Sequence, residues 1–387
     1  MAKAVHSFDS FFSTELKEKY GVEFRVQDFL GRVMMYLAQP QVDLESKRIC
    51  YEFLVRWVEV SEKPDATQNL LDKIGATKVS LGLLSELGFS NDKLCTCIVQ
   101  FLITLLGKGN KLIQKSVYNY FLANQRATGN FFFHIKKYFD FFTKILNDRA
   151  FKREIKYDSK LFLLERIVRF LQLLCEGHFV EMQDYLRTQS NLRRKFNFLE
   201  IVSKTLRICC EKPINKTFNL FSLSIDFLIE MVQGPSVENQ KNLVELNLIA
   251  IFNVMLKWKV SPDGVNRLES RMLTSASSLL NKTKLVQLKL WNKLAEDNLD
   301  VDLPTLERSR VAGLPMQDSK LAQLKYKSLV MFHALLEMQS DRVLLRKIKK
   351  EVSYNTLRKL IIEVYYQFAH RYRCEYIVET LNHVNLC

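Results

Sequence analysis

The scarcity of helix-breaking residues constrains this chain more than any other feature. Only 12 glycines and 7 prolines occur among 387 residues, and apolar residues return at intervals of three and four. Such spacing places apolar side chains on one face of an α-helix, and no segment shows the alternation that is typical of strands. With 48% hydrophobic residues the chain can bury a large core. The sequence therefore predicts an all-α fold.

The predicted helices follow one another with short breaks, as in solenoids that are built from stacked antiparallel helix pairs. No fixed repeat period is visible, so the expected repeats are degenerate and armadillo-like. The breaks carry proline, glycine or both, which end helices. They lie at Gln39-Pro40, Lys63-Pro64-Asp65, Gly107-Lys108-Gly109, Lys212-Pro213, Gly234-Pro235, Ser261–Gly264 and Asp302–Pro315.

Two stretches indicate domain boundaries. Residues 147–158 are rich in charge, and the longest irregular stretch runs from Asp297 to Ser319. We therefore expect an N-terminal helical part, a central helical module, a linker and a basic C-terminal helical part. Their predicted ranges are 1–147, 158–300, 301–319 and 320–387 respectively.

Two helices of the central module have apolar stripes that can be traced residue by residue. One consists of Leu164, Ile167, Val168, Leu171, Leu174 and Cys175, and the other of Phe221, Ile225, Leu228, Ile229 and Val232. Each helix carries a glutamate near its C-terminal end, Glu176 before Gly177 and Glu230 shortly before Gly234. A carboxylate there is disfavoured by about 0.3–1 kcal/mol, because the helix end is itself negative. We therefore expect a compensating cation nearby.

If the two helices pack side by side, Glu176 and Glu230 bring two carboxylates and free carbonyl oxygens together. Oxygen ligands of this kind suit a hard cation such as Ca²⁺. The competing interpretation is that each glutamate is solvated or paired with a lysine, which is the usual state of a glutamate near a helix end.

Two separated motifs resemble one family. The segment Arg169–Gln189, RFLQLLCEGHFVEMQDYLRTQ, and the segment Gln233–Gln240, QGPSVENQ, resemble the helical region shared by inositol trisphosphate receptors and ryanodine receptors. These receptors are intracellular calcium-release channels. Upstream, Leu105–Phe121 is similar to the helical hairpin that precedes this region. The resemblance is strong over about Leu163–Asn298 and fair over Gln68–Asp140.

The resemblance implies that Glu176 and Glu230 coordinate calcium, since similar glutamates do so in these channels. It also implies a further ligand from a segment following the pore, which this sequence does not contain, so that the pair alone is an incomplete, weak site. Gln233 is expected nearby as a neutral neighbour. His178 is a candidate ligand or proton sensor, although capping of the helix end is the favoured interpretation. Gly177 is expected to end its helix, and Ser236 to cap the next.

The net charge of +15 points to a different class of partner, such as nucleic acid or an anionic membrane surface. The cations cluster at Arg193–Lys195, at Arg342 and Arg346–Lys350, and at Arg358-Lys359 and Arg371–Arg373. No nucleic-acid motif accompanies them, so nucleic acid is disfavoured. Acidic proteins and anionic lipid remain open.

Motifs of other functional classes are missing from the sequence. There is no nucleophile elbow, HExxH, Walker loop or EF-hand loop, so no enzymatic activity is expected. Cys95 and Cys97, like Cys209 and Cys210, lack the spacing of a zinc site and are expected to pack as reduced thiols. No apolar run reaches the ~20 residues that span a bilayer. The chain is therefore expected to be cytosolic and to form no pore.

Together these observations predict a cytosolic calcium-sensing region that resembles part of a calcium-release channel. It would lie at the cytoplasmic face of the endoplasmic reticulum or another calcium store and partner a pore-bearing segment or subunit. The alternative is a calcium-independent helical scaffold that binds other proteins through its helical faces. The motifs resemble both inositol trisphosphate receptors and ryanodine receptors, and they do not favour one of the two families.

Overall fold

The computed structural model describes residues 25–146, 158–211, 213–234, 236–258, 318–337 and 340–359. Within these ranges every regular element is a helix, which confirms the predicted all-α fold. The helices are α1 (Val26–Ala38), α2 (Leu44–Glu59), α3 (Pro64–Lys73), α4 (Ala76–Leu87), α5 (Asp92–Leu105), α6 (Lys111–Ala123), α7 (Gln125–Leu146), α8 (Asp158–Cys175), α9 (Val180–Arg187), α10 (Phe198–Glu211), α11 (Phe218–Val232), α12 (Val237–Glu245), α13 (Leu248–Leu256), α14 (Asp318–Leu336) and α15 (Arg342–Glu351). A 3-10 turn at Asn215–Thr217 precedes α11.

Helix ends coincide with the residue types that marked them in the sequence. Pro64 is the first residue of α3, where the missing amide hydrogen has no intrahelical partner to lose. Asn110 caps α6, because its side-chain oxygen accepts from the amides of Leu112 and Ile113. Gly177 follows α8 with φ +76, as expected of a helix-ending glycine. Ser236 does precede α12, but its side chain forms no capping bond there.

Parts of the predicted organisation lie outside the described residues. These are the breaks at 261–264 and 302–315, one residue each of the breaks at Lys212-Pro213 and Gly234-Pro235, and the charged boundary at 147–157. The basic cluster at 371–373 and the rest of residues 360–387 also lie outside them. The predicted linker, 301–319, is described only at its last two residues, which already belong to α14. The domain ranges therefore stay predictions.

The helices repeat in groups of three. The second helices of the groups, α2, α5, α8, α11 and α14, form a row in which each packs against the next. The first helices, α1, α4, α7, α10 and α13, form a second row in the same way. A third helix completes each group, as α9 does after α7 and α8. The fold is thus the expected armadillo-like solenoid, with three helices in each described repeat.

Buried glutamines connect successive groups. The side-chain amide of each donates to two carbonyls, three residues apart, at the end of the second helix in the next group. We call these four residues the glutamine ladder: Gln68 donates to Thr104 and Gly107, Gln114 to Leu173 and Glu176, Gln183 to Glu230 and Gln233, and Gln240 to Ala334 and Glu337. Carbonyls in the last turn of an α-helix lack the amide donor four residues on, and each ladder glutamine supplies a donor there.

The predicted apolar stripes lie in the core. Both helices that carry them, α8 and α11, are in fact buried on nearly every side, because each has neighbours in both rows. Cys95 and Cys209 are free thiols packed in the same core, as expected. Burial raises the pKa of each to about 12, so neither is a ready thiolate. Across the ranges that the structure describes, no helix combines the length and apolarity needed to cross a bilayer.

Candidate metal centre

Glu176 lies immediately after α8, at the turn that leads into α9. Its backbone carbonyl accepts from Gln114 at 2.8 Å, as does that of Leu173. Gly177 and His178 follow with φ +76 and +64, so the chain reverses in two left-handed residues. The side chain of Glu176 is partly buried, and its Oε2 atom is buried without a hydrogen-bond partner. This carboxylate therefore has an unfilled bonding capacity.

Glu230 occupies the same kind of position in the next group, in the last turn of α11. Its carbonyl accepts from Gln183 at 2.6 Å, and that of Gln233 accepts from the same amide at 2.9 Å. Asn239 adds a bond of 2.7 Å to the carbonyl of Met231. The end of α11 is thus held by the two helices that follow the candidate glutamates, α9 and α12.

The two turns touch each other. Gly234 has φ +85, and a Cβ atom built on it would lie 2.5 Å from Cβ and 2.8 Å from Cγ of His178. His178 is otherwise solvent exposed. Glycine is therefore required at position 234 both by the backbone conformation and by the space that His178 occupies. This contact fixes the end of α8 against the end of α11.

The carboxylates of Glu176 and Glu230 are near enough to affect each other. Burial, and after it the negative charges of Glu176 and Asp226, raise the pKa of Glu230 to about 7. Arg169 opposes it, which makes Arg169 the compensating cation expected from the sequence. Asp226 is itself paired with Lys327 of α14, whose Nζ lies 2.5 Å from Oδ2. The candidate centre is therefore a partly buried negative site.

Two carboxylates could offer oxygen ligands here, which is fewer than the six to eight that calcium normally takes. Glu176 offers a buried carboxylate oxygen that no protein group satisfies, and Glu230 is destabilised as an anion where it stands. No cluster of three or more histidine, cysteine, aspartate or glutamate side chains in the described part of the chain is arranged to hold a metal ion. His178 lies at the turn and contacts Gly234, while Gln233 contributes its backbone carbonyl to Gln183. Neither side chain is brought to a described ligand position.

Sequence reasoning missed Gln114 and Gln183. Both are buried, with at most 2% of the side chain exposed. Each holds the backbone at a candidate glutamate, so they set where the two carboxylates lie. A signal was available, because each ladder glutamine is followed at the third position by a fully buried leucine or valine, as in Gln114–Val117 and Gln183–Leu186.

Replacing Glu230 by glutamine should stabilise the metal-free protein at alkaline pH. A raised pKa means that the folded state binds the proton more tightly than the unfolded state, so stability is lost as pH rises through about 7. Glu230→Gln removes that loss, and we expect a gain of about 1–2 kcal/mol at pH 8 and little change at pH 5. Urea unfolding at pH 5 and pH 8, with a chelator present, measures this change in the free energy of unfolding.

The control for this substitution is Glu238→Gln, which removes an exposed carboxylate from the first turn of α12. It should give no gain at pH 8. An equal destabilisation of Glu230→Gln at pH 5 and pH 8 would contradict the assignment of Glu230 as a strained anion.

Comparison with known proteins agrees with the motifs. Residues 158–256 match a family model described as RyR and IP3R Homology associated. The matched range runs from the start of α8 to the end of α13 and contains both glutamates, the contact between their turns, and Gln183. This confirms the resemblance to the receptor region over these residues.

A stretch of 132 residues is also 32% identical to the inositol 1,4,5-trisphosphate receptor itr-1 of Caenorhabditis elegans. The aligned part covers 30% of this chain and 4% of that receptor. The similarity therefore concerns one helical region of a much longer protein.

Proposed function

We propose that this chain acts as the calcium-sensing regulatory region of an intracellular calcium-release channel. The solenoid would lie on the cytosolic side of a calcium-store membrane and act on a pore carried by another segment or subunit. The match of residues 158–256 to the receptor-associated family supports the channel assignment. Calcium sensing is inferred from the candidate centre.

One observation carries the calcium proposal. Glu176 and Glu230 lie at the ends of neighbouring helices in successive repeats, near enough for the charge of Glu176 to raise the pKa of Glu230. Glu176 Oε2 is buried without a hydrogen-bond partner. A bound Ca²⁺ would add positive charge to that of Arg169 and would coordinate the unpartnered carboxylate oxygen of Glu176.

The residues of the chain would do two things at this centre. Glu176 and Glu230 would provide oxygen ligands, and the glutamine ladder would hold their helix ends at fixed separation. Calcium normally takes six to eight oxygens, so a partner segment must complete the coordination. A completing segment that binds only with calcium would favour one arrangement of the solenoid against the gate, because calcium would then have different affinities for the two states.

Calorimetric titration of the full chain with calcium, against magnesium as control, tests the centre. We expect weak, calcium-selective binding in the millimolar range, and its loss in the double variant Glu176→Gln/Glu230→Gln. The matched control is Glu181→Gln/Glu238→Gln, which removes the same charge from exposed positions at the starts of the two adjacent helices. This control should keep the binding within about twofold.

If the chain is instead a calcium-independent scaffold, it should show no calcium binding that depends on Glu176 and Glu230. If calcium gives no heat at several millimolar, or if both double variants weaken binding equally, the two glutamates have structural roles only. The protein would then be a helical scaffold for partner proteins.

A further inference from the structure

The outer face of α15 carries a dense set of cations that the proposed calcium centre does not use. Five of its ten residues are basic and exposed: Arg342, Arg346, Lys347, Lys349 and Lys350. Among the residues that the structure describes, none of the five has an ion-pair partner. Two more exposed cations, Arg358 and Lys359, follow shortly afterwards.

The orientation of α15 is fixed by its apolar side. Leu344 and Ile348 are 5% and 1% exposed, because α15 packs against α12 and α13. Asp341 caps the helix by accepting from the amides of Val343 and Leu344. At about 100° per residue, the five cations and Val343 then occupy one continuous arc of about 160° on the solvent side. No acidic residue interrupts this basic arc.

Two apolar side chains adjoin the basic arc. Val343 is 74% exposed and Tyr354 is 75% exposed, which makes them the most exposed large apolar residues of the described chain. Val343 lies within the arc, and Tyr354 lies three residues beyond the helix. Their significance lies in their position beside the cations, because apolar and aromatic side chains next to lysine and arginine are typical of helices at membrane interfaces.

From these observations we infer that the outer face of α15 binds an anionic membrane surface. A row of cations on an exposed helix matches a plane of negative headgroups, with Val343 and Tyr354 entering the interfacial layer. No nucleic-acid-binding motif accompanies these cations, and the exposed Val343 and Tyr354 beside them favour a membrane over nucleic acid. The buried side of α15 is occupied by the solenoid, so the helix binds through charge at its outer face and stays folded on the protein. This inference stands independently of calcium binding.

Flotation of the full chain with vesicles tests the inference. Vesicles of phosphatidylcholine are compared with vesicles that contain about a third phosphatidylserine, at low and at physiological salt. Each cation near such a surface contributes about fivefold to partitioning. We therefore expect Arg346→Gln/Lys347→Gln/Lys350→Gln to lose about a hundredfold on the anionic vesicles, with circular dichroism unchanged.

A second triple variant controls for net charge. Lys73→Gln/Lys78→Gln/Lys137→Gln removes three exposed cations from α3, α4 and α7, and should lose less than threefold. Val343→Ser/Tyr354→Ser should reduce the part of the binding that survives at high salt. Equal losses in the two triple variants, equal binding to neutral vesicles, or tighter binding to duplex oligonucleotides than to anionic vesicles would each overturn the inference.

Discussion

Gly234→Ala should destabilise the protein by about 3 kcal/mol or more, although it adds only one methyl group. The backbone at Gly234 has φ +85, which costs an L-residue about 1–2 kcal/mol. The new Cβ would in addition lie 2.5 Å from Cβ of His178, an atom attached directly to the backbone of the neighbouring turn. No side-chain rotation relieves that overlap, so one of the two turns must move.

Two further variants separate the cost of the backbone conformation at Gly234 from the cost of the overlap with His178. Gly177→Ala places the same residue at φ +76 with no atom within 4 Å, so it should cost only about 1–2 kcal/mol. His178→Gly removes the clashing side chain, and Gly234→Ala in that background should cost no more than Gly177→Ala. Urea unfolding of the wild type, the three single variants and the double variant gives these free energies. If Gly234→Ala and Gly177→Ala cost the same in the wild-type background, the two turns are not in contact as described.

The sequence predicted the parts of this structure that depend on residues close together in the chain. The apolar stripes of α8 and α11, the break at Lys63-Pro64-Asp65 and the helix-ending Gly177 all follow from periodicity and from the backbone preferences of single residues. The positions of Glu176 and Glu230 at helix ends were predictable for the same reason. The sequence predicted that these two glutamates lie close together only if the two helices pack side by side. In the structure α8 and α11 are neighbours in the row of second helices, so that condition is met.

The glutamine ladder was not predictable in this way, because its acceptors are backbone carbonyls. A carbonyl carries no side-chain signature, and Gln183 is 47 residues from Glu230 in the sequence. Within an amphipathic helix a glutamine is ordinarily assigned to the solvent face. The clue lay in comparing short helices with one another, since the shared spacing of glutamine and buried apolar residue appears only when Gln68, Gln114, Gln183 and Gln240 are aligned.

Gln183→Met should cost about 2–4 kcal/mol, because it removes the donor to two carbonyls while keeping nearly the same side-chain volume. Gln183 is fully buried, and its amide donates to Glu230 and Gln233 at 2.6 and 2.9 Å. Each buried carbonyl that loses its hydrogen bond costs about 1–3 kcal/mol. The total should be less than twice that value where the helix end rearranges so that one carbonyl finds another donor. Urea unfolding gives the total, and hydrogen exchange of the amides near residue 233 reports the fraying of α11.

Gln183→Glu sharpens the same prediction, because a carboxylate has the shape of the amide but only accepts hydrogen bonds when ionised. At neutral pH, Gln183→Glu should lower the free energy of unfolding more than Gln183→Met does, because it places a negative charge against carbonyl oxygens at a helix C-terminus. At acid pH, part of that stability should return, because the protonated carboxyl group can again donate a hydrogen bond. Gln100→Met is the control, because its amide makes only a 3.5 Å bond to Thr104 within its own helix, and it should cost less than about 0.5 kcal/mol. If Gln183→Glu were as stable as the wild type at neutral pH, the ladder would not hold the candidate centre together, and the placement of Glu230 would need another cause.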